Sequence, residues 1–235
     1  NSDLTIEDFF RQFRDEMGKY KRGVLREMTE RARVEAATMP LYYTEWNSSA
    51  ILPDPNHDIS FSAALVAKTI ADNDGLVDGY SFWTFSDIFE EQGQFAAPFH
   101  GGFGLQTIHG IPKPTYRVFE MLHNLGDRRQ IVEGGAGSIV EVLAVCGETG
   151  PRLLAYNHNV PGGEISAEEV VITLEGILPG TPASITRVDA ENANPRQKWV
   201  ELSSPEYPTR VELAEIERAS RPPAGDLHLE FSGDK

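Results

Sequence analysis

One stretch of the chain combines a short strand with a polar turn, and it reads Leu41-Tyr42-Tyr43-Thr44-Glu45-Trp46-Asn47-Ser48-Ser49. The residues at 41–43 favour a pleated strand, whereas Asn47 and the two serines after it favour a turn. Glu45 is therefore expected where a strand becomes a loop. In barrel enzymes that end of a strand carries the chemistry. A surface ion pair is the alternative interpretation of this glutamate.

A second stretch, residues 79–105, predicts a strand that opens into an aromatic and acidic loop. Residues 80–85 alternate aromatic side chains with Ser and Thr, as a strand with one packed face does. The loop that follows contains Glu90, Glu91 and His100 among further aromatic residues. Aromatic faces beside carboxylates suit sugars, because C–H faces stack on π-systems while hydroxyls donate to acids. The alternative is a loop that packs its own aromatic side chains.

Together these stretches resemble the β-xylosidase branch of glycoside hydrolase family 39. The motifs are Thr44-Glu45-Trp46-Asn47-Ser48-Ser49, Ser81-Phe82-Trp83-Thr84-Phe85-Ser86-Asp87-Ile88-Phe89-Glu90-Glu91, Pro98-Phe99-His100-Gly101-Gly102-Phe103-Gly104-Leu105, and residues 194–199 followed by Ser203-Ser204-Pro205. The resemblance covers nearly the whole chain. α-L-Iduronidases share the family, but residues 83–91 are more similar to the xylosidases.

Charge and cysteine content bear on partners and compartment. The 235 residues carry a net charge of −15, which argues against nucleic acid and anionic membrane surfaces as partners. The single cysteine, Cys146, excludes an internal disulfide framework. No stretch has the apolar length that spans a membrane. No signal peptide is recognised in a chain that begins at Asn1, and a bacterial cytoplasmic or periplasmic enzyme is expected.

No cofactor and no metal site is predicted. Asp72-Asn73-Asp74-Gly75 begins like a calcium loop but lacks the later bidentate glutamate at the required spacing. The six histidines show no His-x-x-x-His spacing. The segment Gly134-Gly135-Ala136-Gly137 is not a phosphate loop, because no helix is predicted after it.

Hydrophobic periodicity predicts two parts, an α/β part over residues 1–125 and an all-β part over residues 126–235. The α/β part begins with a helix that Thr5 and Asp8 would cap and that Phe9, Phe10, Phe13 and Met17 would line. Helices are also predicted over residues 20–37, 62–73 and 114–125, around the strands that end at Glu45 and at residue 85. Alternation of this kind implies a parallel sheet.

The second part contains β-branched apolar runs between glycine and proline turns. The predicted strands are residues 138–146, 152–157, 169–174, 184–189 and 226–231, and the pattern is typical of an antiparallel β-sandwich. Thr209 and Glu212 form a predicted capping box, so one helix is expected to interrupt these strands.

The number of strands indicates an incomplete barrel. Residues 1–125 supply two strand–helix units, whereas a closed (β/α)8 TIM barrel needs eight. The resemblance implies that they are barrel strands seven and eight, followed by the family's accessory β-sandwich. Two parallel strands are not a stable sheet by themselves. The chain is therefore either a fragment or part of a fold that a second polypeptide or self-association completes.

The resemblance also implies a catalytic role for one residue. Glu45 takes the place of the nucleophile in a retaining mechanism, and xylo-oligosaccharides or aryl β-xylosides are the expected substrates. In the family the acid/base glutamate lies in an Asn-Glu-Pro motif at an earlier strand end. Asn-Glu-Pro does not occur anywhere in this sequence. Two alternatives stay open, a related enzyme such as an α-L-iduronidase, and a non-catalytic fragment that only binds sugar.

The remaining predicted site residues bind sugar and do not break the bond. The resemblance makes Glu90 and Glu91 ligands of sugar hydroxyl groups. The other predicted substrate-binding residues are Trp46, Asn47, Trp83, Phe99 and His100. For His100, capping of the turn beside Gly101-Gly102 is the alternative.

Overall fold

The structure is a computed structural model, and it describes residues 16, 19–89, 93, 95–148 and 150–227. Its helices are α1 (Val24–Ala36), α2 (Ser60–Asp72), α3 (Pro114–His123), α4 (Pro195–Glu201) and α5 (Arg210–Ala219). Its strands are β1 (Tyr42–Trp46), β2 (Gly79–Phe82), β3 (Arg128–Arg129), β4 (Val140–Gly147), β5 (Gly150–Asn157), β6 (Ala183–Thr186) and β7 (Ala224–Leu227). The helix predicted at the start of the chain and the end of the strand predicted over 226–231 lie outside the described residues.

The strands β1 and β2 are parallel neighbours, as the alternation of helices and strands predicts. Tyr42 is opposite Gly79 and Trp46 is opposite Phe82, with an irregularity in register between them. Helix α2 connects the two strands, and both strands therefore end at the same edge. The pair is one strand–helix–strand unit of the kind that builds a parallel barrel.

β2 ends at Phe82, three residues earlier than predicted. After it, the backbone N–H of Thr84 donates to the carbonyl of Phe103 at 3.1 Å, and that of Leu105 donates to Thr84 at 2.9 Å. Trp83 still donates its backbone N–H to Trp46 of β1, and from Thr84 onward the backbone pairs with a later segment of the same chain.

The main hydrophobic core lies on α2. The helix places Ala63, Val66 and Ala67 on one side by their i, i+3, i+4 spacing, and they pack with Val118 of α3 and Val145 of β4. This core joins residues on both sides of position 126. The predicted division into two domains there stays a prediction.

The β-rich part has strands at four of the five predicted positions and differs at the fifth. β3, β4 and β5 form an antiparallel sheet, and β6 pairs with β7 in a second one. The strand predicted over 169–174 is wrong, because those residues lie outside any helix or strand and Val171 is 86% exposed. A β-branched run becomes a strand only where a partner strand pairs with it.

The helices α4 and α5 form a hairpin against the segment that follows β2. The capping box of Thr209 and Glu212 at the start of α5 is confirmed. Ile216 of α5 is fully buried and packs with Phe99 and Ile111. None of the helices in the described ranges combines the length and apolar character needed to cross a lipid bilayer.

Candidate active site

Glu45 lies at the end of β1, one residue before the strand stops, and its side chain is exposed. Within the part of the chain that the structure describes, its carboxylate has no hydrogen-bond or ion-pair partner. The surface ion pair considered from the sequence is therefore not formed there. The carboxylate is open to solvent at the edge where both parallel strands end.

Trp46 is next to Glu45 in sequence, but its ring packs into an aromatic cluster. The ring centroid lies 5.3 Å from that of Phe82 and 6.5 Å from that of Phe119 on α3. Successive residues of a strand point to opposite faces, which accounts for the different surroundings of the two side chains. The packing supports a structural role for Trp46, and its predicted sugar contact stays a prediction.

Asn47 ties the ends of the two strands together. Its side-chain amide donates to the carbonyl of Trp83 and, at 3.0 Å, to that of Phe103. Its Oδ1 accepts from the backbone N–H of Ser48 at 2.7 Å. Asn47 therefore has three partners within the chain and holds the loop after β2 against the end of β1.

Trp83, the first residue after β2, is partly exposed and supported from behind. Its backbone N–H donates to the carbonyl of Trp46 at 3.0 Å, and the Trp83–Thr84 peptide bond is cis. Its ring meets the ring of Phe89 edge-on at 5.6 Å, and Phe89 in turn contacts Phe103 at 5.8 Å. A partly exposed indole held in this way at a strand end is suited to stack on a sugar ring.

The other predicted ligands have different surroundings. Glu90 and Glu91 lie outside the described residues. Phe99 is buried and packs on Trp199 at 5.7 Å, as part of the core under α5. Packing in the core accounts for the position of the Phe99 ring. The predicted contact between Phe99 and substrate stays a prediction.

His100 is partly buried and is held in a turn. Its Nδ1 lies 2.9 Å from the carbonyl of Ala97, so this nitrogen carries the proton in that contact. Its ring stacks on Phe95 with centroids 4.4 Å apart and planes at 13°. The contact between Nδ1 and a carbonyl three residues earlier in the chain matches the turn-capping interpretation. Because Phe95 covers a face of the ring, Nε2 is the remaining polar atom of the His100 side chain.

A segment that we call the glycine strap, Gly101-Gly102-Phe103-Gly104, lies between the two strand-end loops. A Cβ on Gly101 would lie 2.6 Å from the backbone nitrogen of Asp54, and one on Gly104 would lie 2.3 Å from that of Asp87. Contacts this short are excluded for any larger residue. The glycines of the sequence motif are therefore explained by the close approach of backbone to backbone.

A buried ion cluster holds the strap, and sequence reasoning missed it. Lys113 is fully buried, with its Nζ 2.6 Å from Asp58 and 2.7 Å from Asp87. Nζ also donates to the carbonyl of Gly102 at 3.0 Å. The second oxygens of the two aspartates accept from the first and last glycine of the strap, both at 2.7 Å. Burial raises the pKa of Asp87, while the Lys113 ammonium acts in the opposite direction.

A second buried polar chain supports the same loops. The hydroxyl of Ser49 donates to Asp54 at 2.6 Å and lies 3.2 Å from Nε2 of His57. The Nδ1 of His57 donates to the carbonyl of Gly101 at 2.9 Å. Burial lowers the pKa of His57, so the neutral imidazole is favoured. Over the described ranges, no cluster of three or more His, Cys, Asp or Glu side chains is arranged to hold a metal ion.

Comparison with known families and sequences gives a consistent result. The model of the glycosyl hydrolases family 39 matches residues 9–233. A β-xylosidase of Caldicellulosiruptor saccharolyticus is 46% identical over 206 residues, covering 87% of this chain and 42% of that protein. A β-xylosidase of Geobacillus stearothermophilus is 32% identical over 179 residues, covering 73% of this chain and 33% of its own length. The chain thus spans less than half the length of these relatives.

Solved structures that superimpose on this chain include a β-xylosidase and another enzyme of the same family. A monomeric β-xylosidase from Caulobacter crescentus CB15 superimposes with a TM-score of 0.68 at 27% identity, over 89% of this chain and 45% of that one. An enzyme from Xanthomonas axonopodis pv. citri, described as a member of the same family, superimposes with a TM-score of 0.65 at 26% identity, over 89% and 44%. The similarity extends across both the α/β part and the β-rich part of this chain.

Proposed function

Because the chain belongs to glycosyl hydrolases family 39, we propose that it is the catalytic C-terminal part of a retaining β-xylosidase with Glu45 as nucleophile. The observation that carries the proposal is the position of Glu45. Its exposed carboxylate lies at the common edge of two parallel strands, the edge at which Trp83 follows β2. That edge is where parallel barrels place their catalytic side chains.

The proposed reaction is a double displacement. The Glu45 carboxylate attacks the anomeric carbon of the xyloside, and the aglycone leaves with a proton from a second carboxyl group. Water then releases xylose from the glycosyl-enzyme ester, with the second carboxylate as base. In retaining enzymes the two carboxyl groups lie about 5–5.5 Å apart. Asn-Glu-Pro is absent from all 235 residues, so the acid/base is supplied by another part of the barrel.

We place β1 and β2 as the seventh and eighth strands of a (β/α)8 barrel and the β-rich part as an accessory sandwich. The family match supports this order, because the similar β-xylosidases are more than twice as long as the matched segment. The remaining barrel strands come either from the same longer polypeptide or from a partner chain. In this arrangement Trp83, Glu90 and Glu91 bind the sugar, while Asn47 fixes the strand ends relative to each other.

Xylo-oligosaccharides and aryl β-xylosides fit this site better than a uronide. A uronide carboxylate needs a free cation near the nucleophile. Among the described residues of the strand-end loops, the buried cation is Lys113, and two aspartates already neutralise it. Both relatives compared above carry the name β-xylosidase. The α-L-iduronidase alternative therefore ranks second, and 4-nitrophenyl β-xyloside against an aryl iduronide separates the two.

Product stereochemistry and one substitution test the proposal in the complete enzyme. Proton NMR of the first product should show β-xylose, whereas initial α-xylose would mean inversion. Glu45→Gln should lower turnover of aryl xylosides by several orders of magnitude, because no covalent intermediate forms. Glu27→Gln, at an exposed position on α1, is the control and should leave turnover unchanged. Normal turnover by Glu45→Gln would refute the assignment.

A further inference from the structure

We propose that Lys113 is a positioning residue for the reaction inferred above, and that it holds the loop after β2 in register with the loop after β1. The inference rests on the proposed function for its kinetic consequence. The structural basis does not depend on the proposed function. It consists of the contacts between one buried ammonium group and three segments of the chain.

Three segments converge on this ammonium. Asp58 ends the 3-10 turn after β1, which spans Pro55–Asp58. Asp87 follows β2, and Gly102 belongs to the glycine strap. The Nζ of Lys113 reaches all three at 3.0 Å or less. Charge-assisted contacts of this length, all fully buried, fix the relative positions of these segments.

Lys113 itself is held firmly at its backbone. It is the N-cap residue of α3, and its backbone N–H donates to the carbonyl of Leu105 at 2.9 Å. The side chain therefore extends from a fixed point under the site. A lysine placed in this way transmits the position of α3 to both strand-end loops.

The contacts continue from the strap to the sugar-binding residues. Phe103 of the strap accepts at its carbonyl from Asn47 and from Thr84. Its ring contacts Phe89, which supports the ring of Trp83. A shift of the strap consequently moves Trp83 relative to the end of β1, which carries Glu45.

Charge determines what happens when the lysine is removed. Two aspartates and one ammonium give the cluster a net charge of −1 when all three are ionised. Lys113→Met would leave Asp58 and Asp87 as neighbouring buried carboxylates, and one of them then takes up a proton because like charges disfavour double ionisation. His57, with Asp54 beside it, faces the same cluster, and Lys113 and Asp58 shift its pKa in opposite directions. Without the lysine, the extra negative charge is neutralised by proton uptake only as the pH falls. The variant should therefore recover activity toward acid pH and lose it as the pH rises.

Lys68 provides a matched control. It is also a buried lysine between two carboxylates, at 2.8 Å from Asp72 and 3.1 Å from Glu141. It joins α2 to β4, and both of its ion-pair partners lie outside the strap and the strand-end loops. Lys68→Met should lower stability without changing the pH profile of the reaction.

The experiment compares Lys113→Met and Lys68→Met in the complete enzyme, at a temperature where circular dichroism shows both folded. For Lys113→Met we expect kcat for an aryl xyloside to fall about 100-fold with KM changed less than about threefold, the scale of a small misplacement of reacting groups. Its kcat should rise toward acid pH, whereas Lys68→Met should keep the parent profile. Amide hydrogen exchange over residues 101–104 should accelerate in Lys113→Met only.

A second variant covers the case in which Lys113→Met does not fold. Asp58→Asn combined with Lys113→Met keeps the net charge of the cluster at −1, and it should show the same loss of kcat and of exchange protection. The inference is overturned if either foldable variant keeps kcat and strap protection at the level of Lys68→Met. If the parent enzyme does not hydrolyse xylosides, the proposed function fails. Hydrogen exchange alone then decides whether Lys113 holds the strap.

Discussion

The strand-end region, residues 45–58 and 83–113, and the sheet region, residues 126–227, are built in opposite ways. In the strand-end region, buried charges and backbone groups are satisfied by other residues of the region, as around Lys113. In the sheet region, Ile131, Val171 and Leu178 are 90%, 86% and 75% exposed. Within the described residues, no other part of the chain covers these three side chains. The comparison indicates that contacts within this chain determine the shape of the strand-end region, whereas some large apolar side chains of the sheet region lie uncovered among the described residues.

The strand-end region has its own exposed apolar side chains, and their place is informative. Phe85 and Ile88 are 64% and 74% exposed. Both lie on the loop that carries the predicted sugar ligands. Phe95, 36% exposed, lies on the same loop. Among the described residues of this region, the large exposed apolar side chains therefore lie on this loop, where the proposed substrate and the remaining barrel would cover them.

The largest expected effect is the complete loss of turnover when this chain is studied alone. In the proposed arrangement it holds two of eight barrel strands and one of two catalytic carboxyl groups, so the edge of its parallel strand pair would be open. Size-exclusion chromatography should show self-association or poor solubility, and xyloside assays should show no turnover. A soluble, fully active monomer of 26.0 kDa would break the comparison.

Removal of a predicted sugar ligand comes next. Glu90→Ala or Glu91→Ala in the complete enzyme should cost roughly 2–4 kcal/mol of transition-state stabilisation, the value of a buried charged hydrogen bond. The measurement is kcat/KM for an aryl xyloside. Glu133→Ala, in the sheet region, is the matched control and should have no effect. Rescue of either loop variant by azide would show instead that a catalytic carboxylate had been lost.

The contact between helix α2 and the sheet region should be sensitive to acid. His158 follows β5 and packs against Phe61 of α2, and burial together with Arg22 and Lys68 lowers its pKa to about 4. In the unfolded chain this histidine has its ordinary pKa of 6.5, so the folded state loses stability as the pH falls from 6.5 to about 4. At about 1.4 kcal/mol per pKa unit, the loss approaches about 3 kcal/mol.

His158→Phe should remove this part of the acid sensitivity. Thermal unfolding of the complete enzyme at pH 7 and pH 4.5 measures it. His123→Phe, at the exposed end of α3, is the control and should leave the pH dependence as it is. An equal pH dependence in the parent and in His158→Phe would contradict the assignment.

The smallest expected difference compares one glycine from each region. Gly104→Ala places a Cβ 2.3 Å from the backbone of Asp87, and overpacking of this kind costs about 1–3 kcal/mol. Gly225→Ala in β7 meets only Ile185 at 3.8 Å, an ordinary contact. Denaturant unfolding should therefore show a loss for the first variant and almost none for the second. Equal losses would mean that the strap is not closely packed.

The sequence predicts those parts of the site that depend on local chemistry. Glu45 at a strand end and the parallel pair follow from β propensity, turn residues and alternation of helix with strand. The capping box of α5 is local as well. These features require only neighbouring residues, and the structure confirms them.

What the sequence does not predict depends on contacts between distant segments. Lys113 is a single lysine between two prolines, and its partners Asp58 and Asp87 are separated from it by 55 and 26 positions in the numbering. The packing of Trp46 and Phe99 likewise depends on which helices lie behind them. Residues 169–174 have the composition of a strand, but no partner strand is available among the described residues to pair with them.

Trapping of the covalent intermediate tests the central claim most directly. The complete enzyme is incubated with a 2-deoxy-2-fluoro-xyloside, digested with protease and mapped by mass spectrometry. The account predicts a single fluoroxylosyl ester on the peptide that contains Glu45, accumulating as activity is lost. A label on Glu90, Glu91 or any other residue, or inactivation without a label, would contradict it.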